Sequence, residues 1–143
     1  MRGESSWVAG VDGCPGGWLV VRRRIDDAAT AEVRLVQHFQ EVLDLQPVLR
    51  VIAVDIPIGL PERAGIGGRL ADVQARANLG ARQSSVFAVP ARAAVMETEY
   101  GAACDAAARH SDPPRKISKQ TFFLFPKIRE VDAVMIPDVQ EHV

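Results

Sequence analysis

The chain has 143 residues, 48% of them hydrophobic and 24% charged, with a formal net charge of -1. That length and balance describe a folded domain with its own core, and exclude both a disordered tail and a strongly basic nucleic-acid clamp. No apolar run is long enough to span a bilayer, and two cysteines, Cys14 and Cys104, are too few for a disulfide framework or a metal knuckle.

Taken in chain order, Trp7 to Gly13 is an apolar run that stops on Asp12. Gly13, Gly16 and Gly17 then predict a tight reversal into a second strand, Trp18 to Arg22. Glu32 to Val36 alternates polar and apolar residues and predicts a third strand with one wet face. Between His38 and Leu45, the spacing of Phe39, Val42 and Leu43 predicts a short amphipathic helix. It leads to Arg50 to Asp55, where continuously apolar Val51 to Val54 predicts a central, parallel strand covered on both faces.

The first and fourth strands thus each carry an aspartate at one end. On neighbouring strands about 4.8 Å apart, Asp12 and Asp55 can share one cation. Two close carboxylates repel unless something positive lies between them, and a hard divalent ion, Mg2+ or Mn2+, is the expected partner. The alternative is a pair of turn aspartates, each bonded to its own backbone.

Prolines make Ile56 to Pro61 a loop running off this acidic end. Five arginines (Arg63, Arg69, Arg76, Arg82, Arg92) then face only Glu62 and Asp72 up to position 92, a local positive excess suited to a phosphate backbone or to a solvated helix face. Leu70, Val73 and Ala77 predict a helix over 69–79 stopped by Gly80, with Arg69, Asp72 and Arg76 along one face. Asp72 is placed to pair with those arginines within the helix. Arg82, Ser84 and Ser85 form a donor-rich turn that either cradles phosphate or caps its own backbone. Pro90-Ala91-Arg92 opens an alanine-rich helix, and His110 to Pro114 is a predicted linker. Ser118 is the predicted N-cap of a last helix with Phe122, Phe123 and Phe125 in the core, restarted or kinked at Pro126. Ile128, Val131 and Met135 point inward, so Asp132 borders the buried stripe while Glu130 faces solvent or a neighbouring loop.

The blocks Gly10-Val11-Asp12-Gly13-Cys14, Gly16-Gly17-Trp18 and Val54 to Pro61 resemble a family of uncharacterised proteins, DUF429, regarded as nucleases of the ribonuclease H fold. The resemblance continues through Arg69, Asp72, Arg76, Leu79-Gly80, Arg82, Ser84 to Phe87, Pro90, Arg92, Gln120 and Pro126 to Asp132, nearly the whole chain. It implies an α/β, ribonuclease H-like fold in a single domain over 1–143. Three antiparallel strands, then a helix and a parallel strand, would form a mixed sheet packed with helices. It further implies a nuclease that uses Mg2+ or Mn2+ held by Asp12, Asp55 and Asp132. Arg69, Asp72, Arg76, Arg82, Ser84, Ser85, Lys127 and Glu130 are the expected substrate-binding residues.

Family members look longer, with a further acidic strand beyond the position of Val143. A sheet lacking that strand invites pairing with a second copy, so a homo-oligomer is expected. Nucleic acid is the expected partner, no membrane is, and free thiols without an export signal favour the cytoplasm. Two alternatives compete: a nucleotide-binding relative of actin and the sugar kinases, and a non-catalytic oligomeric binding protein. Against the first, Asp55-Ile56-Pro57-Ile58-Gly59 lacks the run of glycines that lets a backbone wrap ATP phosphates.

Overall fold

The computed structural model describes residues 6–143. They fall into two compact units, one running up to Ile56 and joined by Glu130–Val143, the other Pro57–Arg129.

The first unit is built on a four-stranded sheet in the order β3-β2-β1-β4. β1 (Trp7–Cys14), β2 (Gly17–Arg24) and β3 (Ala31–Val36) are antiparallel, and β4 (Val51–Val54) lies parallel to β1. The mixed α/β class expected from the sequence holds, and the arrangement is compatible with a ribonuclease H-like fold. The β1–β2 hairpin closes between Cys14 and Gly17. Gly17 has φ +127°, and a Cβ there would lie 2.1 Å from the Val36 carbonyl oxygen, so no other residue fits.

Ala9, Val11, Trp18, Val20 and Ile52 alternate onto one buried face of this sheet. Helix α1 (Phe39–Leu43) contributes buried Phe39 and Val42, and Trp18 meets Phe39 edge to face at 5.1 Å between ring centroids. A charged residue, Arg22, is also buried here at 3% exposure. It is held by its cross-strand partner Glu32 at 2.7 Å, by the Gln46 carbonyl at 2.6 Å, and by the Trp7 ring 4.9 Å away. The guanidinium bond from Arg22 keeps the Glu32 carboxyl below its ordinary range.

One expectation about this sheet is corrected. β4 is an edge strand of the four, not a central one, and Val51 is half-exposed. Its apolar run marks one covered face, with Ile52 buried, and one open face. On β3 the alternation expected from the sequence is present, with its aliphatic residues on the open side. Val33 and Leu35 lie on the open face, while Glu32 takes the packed side to reach Arg22. Glu32 on that side gives buried Arg22 its counter-charge. On the outer side of β4, a short helix, α6 in chain order (Pro137–Gln140), leads into a C-terminal turn whose His142 carbonyl accepts the Ile52 N–H at 2.6 Å.

The second unit is helical: α2 (Leu70–Leu79), a 3-10 turn (Gly80–Ser85), α3 (Arg92–Val95), α4 (Tyr100–Arg109) and the start of α5 (Lys119–Val134). Gly80 ends α2 with φ +53°, as the sequence predicts. The alanine-rich stretch forms two helices, broken at 96–99, whose buried Ala94, Ala106 and Ala107 pack with Ile117. Side chains this small let the helix backbones approach closely. Of the three phenylalanines, Phe125 is buried, Phe122 packs edge to face on Tyr100 at 5.6 Å, and Phe123 is exposed. α5 runs on through Pro126.

Candidate functional site

Asp12 is the sixth residue of β1, and Asp55 follows β4 directly. The parallel register pairs Val11 with Val54, and the Asp55 N–H donates to the Val11 carbonyl at 3.1 Å, so the two aspartates occupy adjacent positions at one end of adjacent strands. Both are exposed. They line one shallow concavity of about 490 Å3 with Gly10, Leu19, Val21, Ala53 and the backbone between them. The pairing follows from strand alternation: Val11 is buried beneath the sheet, so Asp12 must stand on the other face, beside Leu19 of β2.

Neither carboxylate has a hydrogen-bond or ion-pair partner among the described residues. The turn-aspartate alternative needs each side chain to bond its own backbone, and those bonds are absent from this pair. Two acids on neighbouring strands with no intramolecular cation repel, which costs stability unless an external positive group joins them. Hard oxygen donors presented to solvent suit Mg2+ or Mn2+, ions that accept one or two protein carboxylates and complete their shell with water and phosphate oxygens.

Asp132 does not complete a triad with them. Among the described residues no group of three or more His, Cys, Asp or Glu side chains is placed to hold a metal. Asp132 is half-buried on the last turns of α5, next to Val131 with 1% exposure. Its neighbour Glu130 shows which side of the sheet that turn serves. Glu130 accepts the Trp18 indole N–H at 3.2 Å and the Phe39 backbone N–H, so it lies with the packed face, opposite Asp12. Of the two expected surroundings, solvent or a neighbouring loop, Glu130 takes the second: it meets the chain entering α1, caps that helix and fixes the Trp18 ring. Helical spacing identifies the face of α5 that carries Glu130, but not that an indole and an unpaired helix N-terminus wait there.

The other expected substrate residues lie in the second unit or close to its end. Asp72 is buried, and its two oxygens receive the Arg69 backbone N–H at 2.9 Å, Nε at 3.0 Å and Nη2 at 2.7 Å. Arg69 further donates to the carbonyls of Ile58 and Gly59, tying the loop after β4 to the start of α2. Burial alone would raise the Asp72 carboxyl, but the bonds from Arg69, aided by the charge of Arg76, hold it below the ordinary range. The pair expected within the helix is thus present and spent on structure. Arg76 donates to the carbonyls of Gly67 and Val86. Arg82, Ser84 and Ser85 are exposed on the 3-10 turn, and Lys127 is half-buried on α5.

An open mixed sheet packed with helices on one face, with two unpartnered aspartates at adjacent strand ends, places the chain among α/β proteins with an acidic strand-end site. It belongs to the family described as a protein of unknown function, DUF429, which matches residues 10–143. No curated protein and no solved structure matches it.

Proposed function

We propose that the chain is a divalent-cation-dependent phosphodiesterase acting on nucleic acid. One observation carries this reading: Asp12 and Asp55 face the same open concavity from adjacent parallel strands, and neither has a partner among the described residues. Asp12 and Asp55 would hold Mg2+ or Mn2+, with at least one oxygen each. When bound, the ion supplies Lewis-acid polarisation and a water of lowered pKa. The chain itself orients. Leu19 and Val21 form an apolar border to the acids, and the β1–β4 hydrogen bonds hold both carboxylates on a rigid sheet. Within the helical unit, Arg82 is exposed and has no ion pair among the described residues, so its charge is open to a phosphate backbone.

The test couples binding to cleavage. Mn2+ should raise the melting temperature of the wild-type chain and support cleavage of a mixed panel of DNA, RNA and hybrid oligonucleotides. Asp12→Asn and Asp55→Asn should lose both effects. Mn2+ binding without cleavage of any substrate would leave a non-catalytic metal protein, and no binding would remove the proposal. We place self-association and a cytoplasmic location in the same proposal. The support for self-association is the sheet edge at β4, beyond which no further strand lies among the described residues. Light scattering of the wild-type chain over a concentration series tests it.

A further inference from the structure

The Pro57–Arg129 unit contains a second cavity, of about 360 Å3, lined by none of the residues around Asp12 and Asp55. Its volume suits one small molecule. The floor is apolar and rigid: Val89, Ala91 and Ala107 are each below 5% exposure, and Ile117 packs on the alanine cluster of α3 and α4. The mouth is cationic. Arg76, Arg115 and Lys116 line it, and no Asp or Glu does.

Two of these charges are not consumed elsewhere: Arg115 and Lys116 are exposed and make no ion pair among the described residues. Arg76 spends its N–H groups on the Gly67 and Val86 carbonyls, which orient the guanidinium, and Asp72, whose two oxygens bond to Arg69, offsets part of its charge. Ser111, 7% exposed, accepts the Arg115 backbone N–H at 2.8 Å through Oγ, which leaves the hydroxyl proton available for donation.

The walls are pre-formed. The predicted linker at His110 to Pro114 is instead a wall, since Ser111 forms a parallel bridge with Ala64. The Ala64 N–H donates to His110 and the Asp112 N–H to Ala64, both at 2.9 Å. Tyr100 fixes the far side by donating its hydroxyl to the Ile117 carbonyl at 2.9 Å. Gly67 and Gly68 complete the wall with φ +81° and +87°, and a Cβ on Gly68 would meet Asp72 Oδ2 at 2.8 Å. A preorganised apolar floor under several cations matches an anion carried on an apolar body, and a phosphate monoester, at nearly two negative charges, answers such a mouth better than a carboxylate.

We propose that this cavity binds a small organic phosphate monoester, with the apolar body against Val89, Ala91 and Ile117 and the phosphate held by Arg115, Lys116 and Arg76. Titration calorimetry of the full chain at low salt, with phenyl phosphate, phenol and inorganic phosphate as probes, tests it. Phenyl phosphate is expected to bind about tenfold or more tightly than either fragment. Arg115→Ala combined with Lys116→Ala, both surface changes that spare the core, should weaken it by a further factor of about ten or more. Arg23→Ala, an exposed cation on β2, should leave it unchanged. Absence of phenyl phosphate binding, equal binding of phenol or of inorganic phosphate, or equal weakening by Arg23→Ala would each overturn the proposal.

Discussion

The same residue type does opposite work in the two units. In the helical unit, Asp72 is buried and receives three hydrogen bonds from Arg69 on its two oxygens, so little of the carboxylate is left for a ligand. In the sheet unit, Asp12 and Asp55 are exposed, adjacent and unpartnered among the described residues. The difference teaches that an acid's capacity for external chemistry is measured by the bonds it has left over. Saturation marks a structural role, and two unsatisfied neighbours mark an expected cation.

The contrast can be broken most severely at the open pair. Asp12→Asn is expected to lower cation-dependent cleavage by about 10³-fold, a barrier change of about 4 kcal/mol, while far-UV circular dichroism stays unchanged. Asp72→Asn should leave any cleavage chemistry per folded molecule intact. The packed sheet face gives an effect of similar size on stability. Trp18→Ala removes a fully buried indole and the donor to Glu130, and should cost about 4 kcal/mol in chemical denaturation.

Asp72→Asn ranks next, at about 2 kcal/mol, because Arg69 keeps a neutral acceptor but loses its buried counter-charge. Its pH dependence sharpens the comparison. The folded-state carboxyl lies below its ordinary value, so its contribution is fully present above the unfolded pKa and disappears as pH falls through the folded one. The stability gap between wild type and Asp72→Asn should therefore hold from pH 7 to about pH 5 and close below about pH 4. Denaturant titrations across that range check the sign.

The smallest expected effect has the opposite direction. In chelator, Asp55→Asn should stabilise the sheet unit by about 0.5 kcal/mol, since it relieves cross-strand repulsion. With Mn2+ present the order should invert, the wild type becoming the more stable by mass action. A thermal melt with and without the ion decides it. No gain in chelator would mean that the two carboxylates do not feel each other.

Much of this was legible in local patterns. Apolar runs ending on Asp12 and Asp55, the glycine-bearing reversal at Gly17 and the stop at Gly80 each follow from short-range backbone and side-chain preferences. So did the pairing of Arg69 with Asp72, three positions apart on one helix. Partners separated by dozens of positions were not visible. Periodicity placed Glu130 away from the buried stripe of α5, but could not reveal that Trp18 and Phe39 would deliver two donors to it.

Sequence alone determined the four strands, the helices α1, α2 and α5 and the acids at the strand ends, because those depend on steric and hydrophobic preferences acting over a few residues. Tertiary structure alone decided which face of β3 and β4 is buried, that Ser111 walls a cavity, and which aspartates keep their lone pairs. The physical reason is that burial and hydrogen-bond satisfaction belong to pairs of segments, and a pair exists only once the chain has closed on itself.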